Sequence, residues 1–289
     1  MLDAGASGAG AIPPLAPRRS RLGIGGTGTK AILIAALSTV VFFGGLTLIV
    51  INAPGWAQVQ RSFFNGEVFV ESIPRIVRGF GTNVRLFLIA EVLILAWGLV
   101  LAVLRSTPGP VFFPVRVLAT FYVDLFRALP GLLVIYVLGF GVPALQIEGV
   151  PNDRFFWAVV ALTLLYSAYV SEVYRAGIES IHPSQMAAAR SLGLTQLQSM
   201  RHVVVPQAIR RVIPPLLNDF IGLQKDTVLV SFIGVVEVFR AAQIESSARF
   251  NFTPFLVVAL IFLVVTLPLA RLTDMLVARE QRRRAAGFR

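Results

Sequence analysis

The chain has 289 residues, 56% of them hydrophobic and only 14% charged, with a mean hydropathy of +0.76. Soluble domains carry about 25% charged residues, so an ordinary soluble fold is excluded. The net charge of +11 does not mark a nucleic-acid binder, because the arginines sit at the ends of apolar runs and form no single patch. The chain has no cysteine, which removes disulfides and thiolate chemistry. Its two histidines, His182 and His202, have no third ligand in view, so no metal site is expected.

Residues 1–30 are rich in Gly, Ala, Pro and Arg without apolar periodicity and read as a disordered cytoplasmic tail. The segment from Gly23 to Gly28 matches G-x-G-x-x-G, but no strand precedes it, so the dinucleotide reading fails. Arg18 and Arg19 before an apolar run mimic a twin-arginine signal, yet the spans downstream favour a first transmembrane helix. That helix is expected over 31–51. Residues 52–82 are mixed, with Phe63, Phe64, Val68, Phe69, Ile73 and Ile76 spaced like a segment lying at the extracytoplasmic interface. Runs of about 20 apolar residues cross the hydrocarbon core as helices. Further spans are expected over 84–103, 117–144, 155–173, 214–236 and 254–270. The third is interrupted by Asp124, Arg127 and Pro130, and proline predicts a kink there. Residues 272–289 read as a basic cytoplasmic tail.

Orientation follows from where arginine and lysine fall. A cytoplasmic N-terminus leaves Arg61, Arg75, Arg78, Arg85, Arg154, Arg240 and Arg249 outside and puts most other cations inside. Six helices with both ends in the cytoplasm are therefore predicted. The stretch 184–208 then lies in the cytoplasm. It reads as a water-soluble helix pair: Gly193 interrupts, Thr195 and Gln198 fit a capping box, and Pro206 closes the second helix. Ser184 is the expected cap of the first.

Charges within the membrane cost about 2.5–3.5 kcal/mol each on insertion scales, so each one asks for a partner or a role. Asp124 and Arg127 are spaced to pair, as are Glu172 and Arg175. In the fifth span, which also carries Gln224, Asp219 and Asp226 share one helix face, while Asn218 and Lys225 share the neighbouring face. That polarity faces either other helices or a water-filled path, and Lys225 is a candidate to neutralise a carboxylate. The chain has no H-E-x-x-H, no G-x-S-x-G and no GxxxxGK[ST] loop, so it is not expected to be an enzyme or to hydrolyse nucleotide by itself. Solute transport would need ion coupling through Asp219, Lys225 and Asp226, or a separate ATPase.

The helix pair resembles the coupling loop of bacterial ABC importer permeases, whose pattern is E-A-A, three residues, Gly, nine residues, Ile, one residue, Leu-Pro. Here it reads Ala187, Ala188 and Ala189, then Gly193, Val203, Val205 and Pro206 in the same register. Three other segments are similar to the polar amino-acid branch of that family: Tyr122 to Pro130 (Y-V-E-x-F-R-G-T-P), Ser167 to Ile178 (S-A-Y-x-x-E-x-x-R-x-G-I) and Leu223 to Leu229 (L-x-K-D-T-S-L). Ala187 replaces the family's Glu, and Ala128 with Leu129 replaces Gly-Thr.

The resemblance implies a type I ABC importer permease fold, all-α, with a five-helix core over 83–271 and the 31–51 helix added before it. It implies a multi-pass protein of the bacterial cytoplasmic membrane. Its implied partners are two cytoplasmic ATPase subunits that bind ATP and Mg, an identical or sister permease, and an extracytoplasmic amino-acid-binding protein, with membrane lipid around it. The chain itself is implied to hold no cofactor. The imported solute is a polar amino acid, with glutamate or a relative preferred. On this reading Ser184, Gln185, Ala187, Ala188, Ala189, Arg190, Gly193, Thr195, Gln198 and Pro206 form the ATPase-coupling loop within 180–208. Asp124, Arg127, Pro130, Glu172, Asn218, Asp219, Gln224, Lys225 and Asp226 line or brace the path.

Overall fold

The computed structural model describes residues 29–107 and 109–286, and they are helical almost throughout. The chain divides into two compact units, 1–58 and 59–289. The first carries α1 (Thr29–Ile51), at the position expected for the first span and apolar along its whole length. Helix α2 (Trp56–Phe63) runs across the division.

The second unit is built on α3 (Gly66–Ser106) and α7 (Arg154–Glu179). Asn65 starts α3 by accepting a hydrogen bond from Val68 N–H (3.1 Å), and Asp153 starts α7 in the same way from Phe156 N–H (2.9 Å). The two helices pack closely at Gly98, where an added Cβ would meet Val170 Cγ1 at 2.8 Å. Between them in sequence, α4 (Phe113–Ala128) ends where Leu129, preceding Pro130, is held extended at ψ 138°. The chain resumes as α5 (Gly131–Tyr136), a π-helical turn (Val137–Gly141) and the short α6 (Val142–Ala144), bent by 107° from α4. The kink expected at Pro130 is there.

After α7 come α8 (Pro183–Ser191) and α9 (Gln196–Ser199). A π-helical turn (Met200–Val204) then leads into α10 (Val205–Asp226) and a 3₁₀ segment (Thr227–Ile233). Finally α11 (Val238–Arg249) and α12 (Thr253–Ala286) close the chain. The main core joins Leu86 and Ile94 of α3 to Ile135, Leu162, Leu223 and Ile233, all essentially inaccessible. A second cluster joins Ile76 to Val238, Ala242, Val257 and Val258.

Among the described residues, four helices are long and apolar enough to cross a membrane, or up to six if each bent pair counts as one span. Several local readings change. Residues 66–82 are no separate interfacial segment: they are the first part of α3, because Ile76 and Gly79 pack against α11 and α12 and keep the helix going. The fifth span does not begin at Pro214, since Pro214 and Pro215 lie inside α10. Membrane helices tolerate proline where neighbours satisfy the freed backbone groups. The stretch after 271 is helical as far as Ala286. The tail expected over 1–30 falls almost wholly outside the described residues.

A buried lock ties α3 to the segment between the 3₁₀ turn and α11. Glu237, with no exposed surface, caps α11 by accepting from Phe239 N–H (2.9 Å) and Arg240 N–H (2.7 Å). Asn83 Nδ2 donates to Glu237 Oε2 (3.1 Å) and Thr227 Oγ1 (3.0 Å), while its Oδ1 accepts from Val238 N–H (2.9 Å). Gly79, one turn earlier on α3, lets the Glu237 backbone approach; an added Cβ would lie 2.8 Å from the Glu237 carbonyl oxygen. Backbone in a packed interior cannot yield cheaply, so Gly79→Ala is expected to destabilise the unit by about 1–3 kcal/mol. Thermal unfolding of the purified protein in detergent would show it as a lowered Tm.

Candidate coupling loop and intramembrane polar site

The loop between α7 and α10 is rigid because its ends are chemically closed. At the end of α8, Gly193 takes φ +84°, Gly193 N–H bonds Arg190 O (3.0 Å), and Leu194 N–H bonds Ala189 O (3.3 Å). This double closure with a left-handed glycine is the Schellman motif. At the start of α9, Thr195 Oγ1 accepts from Gln198 N–H (3.2 Å) and Gln198 Oε1 accepts from Thr195 N–H (2.9 Å), completing the expected capping box. Two expectations are corrected. Helix α8 is capped by His182, whose Nδ1 accepts from Ser184 N–H (3.2 Å); Pro183 is the first helical residue, so Ser184 sits one position too far in. Pro206 does not close the second helix. It lacks an N–H, and the helix passes it by widening into a π turn in which Val205 N–H reaches Met200 O.

The loop is seated on the bundle by one face. Ile181, Val204 and Ala208 are buried together, with Ile178, Met186 and Met200 packed on them. Gln207 Nε2 donates to Gln185 Oε1 (2.9 Å), and Arg211 donates to the Ser180 carbonyl. Ala189 is buried. Ser184, Ala187, Ala188, Arg190, Thr195 and Gln198 face out. So do Leu192 (84% exposed) and Leu197 (78% exposed), which place apolar side chains on both sides of the Gly193 turn. The offered surface is thus an apolar-tipped corner on a fixed support.

Glu172 gathers the charges at the adjoining end of α7. Its Oε1 meets Arg105 of α3 at 2.7 Å and Arg127 of α4 at 3.6 Å, and its Oε2 meets Arg175 at 2.6 Å. The expected Glu172–Arg175 pair is therefore formed. The expected Asp124–Arg127 pair is not: Arg127 turns to Glu172, and exposed Asp124 forms no ion pair among the described residues. A carboxylate already flanked by two guanidinia in a partly buried site outcompetes an exposed neighbour one turn away. The remaining polar groups lie on α10. Asp226 Oδ2 accepts from Tyr166 O–H (2.7 Å), and Gln224 Oε1 accepts from Thr266 O–H (3.1 Å). Asp219 Oδ2 and Gln224 Nε2 are buried with no hydrogen-bond partner. Glu91 of α3 lies within electrostatic reach of Asp219. Lys225 and Asn218 are exposed on the neighbouring face, as their spacing predicts, but Lys225 neutralises no carboxylate among the described residues.

Sequence reasoning missed Arg105, Tyr166, Asn83, Glu237 and His182 as organising residues. Each acts on a partner far away in sequence or through an unusual cap, so spacing carried no signal. No group of His, Asp or Glu able to hold a metal exists among the described residues.

Residues 94–282 match the family described as the binding-protein-dependent transport system inner membrane component. The chain belongs to that family. Among curated relatives, the probable glutamine ABC transporter permease protein GlnM of Bacillus subtilis (strain 168) is 42% identical over 63% of this chain and 84% of its own length. The arginine transport system permease protein ArtQ of the same organism is 34% identical over 68% and 89%. The glutamate/aspartate import permease protein GltK of Escherichia coli O6:H1 is 36% identical over 62% and 81%. A crystal structure of an amino acid ABC transporter with histidines matches at TM-score 0.67 and 32% identity, covering 73% of this chain and 96% of that one. The protein is thus the permease subunit of an ABC amino-acid importer, a multi-pass inner-membrane protein with the type I permease fold. The ion-coupled reading finds no support in these relatives.

Removing the Glu172 charge leaves three arginines facing one another. Glu172→Gln is expected to cost the permease about 2 kcal/mol, less than the 3–5 of a fully buried pair because the site is partly solvated. Asp124→Asn, which breaks no ion pair, is expected to leave the Tm unchanged in the same unfolding experiment.

Proposed function

We propose that this permease is the membrane half of an ATP-driven importer of polar amino acids, with glutamate or a close relative as solute. Six spans with both termini in the cytoplasm are supported by the distribution of arginines and by the two bent helix pairs. A five-helix core follows the added α1. Two cytoplasmic ATPase subunits bind ATP and Mg; this chain binds neither and pairs with an identical or sister permease. An extracytoplasmic binding protein delivers the amino acid. The solute preference rests on relatives whose names span glutamine, arginine and glutamate/aspartate.

The observation that carries the reading is the loop at 180–208. A corner closed by the Gly193 turn and the Thr195–Gln198 box, seated through Ile181, Val204 and Ala208 and presenting Leu192 and Leu197, transmits a displacement without deforming. Closure of the ATPases displaces it, and α7 and α10, which flank it, carry the motion into the membrane. Ala187 is exposed beside this corner without the family's acidic side chain, so contact there is made by shape and apolar area. Along α10, Asn218 and Lys225 face the translocation path, while Asp219, Gln224 and Asp226 brace it from behind.

Valine at position 193 would strain the left-handed turn by roughly 1–2 kcal/mol. Gly193→Val is expected to uncouple the importer: in liposomes holding the full complex, ATP hydrolysis persists while solute uptake falls. Wild-type uptake in that variant would remove the loop from the mechanism. Lys225→Met is expected to lower uptake at unchanged membrane expression, and liposomes containing the permease without ATPase are expected to take up nothing.

A further inference from the structure

Two arginines stand apart from every ion pair described above. Arg85 of α3 and Arg154, the first residue of α7, line one open cavity of about 640 Å³ with Thr82, Asn152 and Val236. Neither makes a hydrogen bond or ion pair among the described residues. The cavity is built to receive the Arg154 guanidinium: it lies against Gly234, which has no Cβ and takes φ +86°. Asp153 is also at the rim, but its carboxylate is engaged by Phe156 N–H at 2.9 Å. The cavity therefore presents two unpaired guanidinia to a single incoming anion.

Its position selects the anion. Arg85 immediately precedes the apolar run of α3, and Arg154 opens the apolar run of α7, so both sit where hydrocarbon gives way to water. Helix α7 leads away from this cavity to the coupling loop, which places the two at opposite ends of a span. Below Arg85 on the same helix face, Ile89, Val92, Leu93 and Val100 are 46, 68, 44 and 42% exposed, an uninterrupted apolar stripe. The exposed face of α4 differs, for it carries Asp124 and Arg127 and would be costly against hydrocarbon. Guanidinium pairs suit the two free oxygens of a phosphodiester. A headgroup in the cavity would lay its acyl chain along the stripe.

We infer that the Arg85–Arg154 cavity is a binding site for the phosphate of an anionic phospholipid, such as phosphatidylglycerol. A free carboxylate or phosphate shares the charge but has no use for the stripe.

The test uses Trp157, three residues after Arg154, which donates to Pro151 O at 2.7 Å. The full chain carrying Trp56→Phe and Trp97→Phe is reconstituted into bilayers of phosphatidylcholine and phosphatidylglycerol, brominating one lipid at a time. Trp157 quenching then reports which lipid occupies the site. A basic residue at an anionic headgroup is worth about a fivefold preference. Brominated phosphatidylglycerol is expected to quench with at least that preference. The double variant Arg85→Gln/Arg154→Gln is expected to abolish it, and Arg85→Lys/Arg154→Lys to retain part of it. Equal quenching by both lipids, or a preference that survives the glutamine variant, overturns the inference. So does loss of the preference on adding millimolar inorganic phosphate or L-glutamate, which would assign the cavity to a free anion.

Discussion

Inside a bilayer no water is at hand to satisfy a backbone group, so a spanning helix cannot stop or bend without internal repair. The breaks within its apolar helices are repairs of that kind. At Pro130, Leu129 N–H still reaches Leu125 O (3.2 Å), and Leu133 N–H takes the Pro130 carbonyl (2.9 Å) before the chain turns. Along α10 the helix passes Pro214 and Pro215 without a break. After Asp226 it narrows to a 3₁₀ segment that ends on left-handed Gly234, and Glu237 then supplies acceptors for the next helix. These breaks fall where α5, the 3₁₀ segment and α11 meet α3 and α7.

The same low dielectric governs charge. Glu172 draws guanidinia from three helices into one cluster, which holds the ends of α3, α4 and α7 together next to the 180–208 loop. Asn83 and Glu237 hold α3 to α11 with uncharged and charge-assisted hydrogen bonds. Among the described residues six buried side-chain atoms have no hydrogen-bond partner, and two of them lie on α10. There Asp219 and Gln224 keep buried atoms without partners while Asn218 and Lys225 are exposed.

Much of this was legible before any coordinates. The helical class, the presence of apolar spans, the kink at Pro130, the turn at Gly193 and the Thr195–Gln198 box all depend on residues within a few positions of one another. Local chemistry decides them: proline lacks a donor, glycine tolerates positive φ, and a threonine side chain reaches the third N–H. The register of the loop motif also sufficed to suggest the importer family that the relatives share.

Tertiary structure alone decided the pairings between helices. Spacing offered Arg127 to Asp124, three residues away, yet the partner is Glu172, brought alongside by the packing of α4 on α7. Asn83 and Glu237 are 154 positions apart, and nothing in either neighbourhood announces the other. The continuity of α3 from Gly66 was hidden for the same reason, since its first turns are held by α11 and α12 and not by their own periodicity. In a membrane the choice of partner is set by which helix faces meet, because a charge there takes the best-placed counterion in space, whatever its distance in sequence.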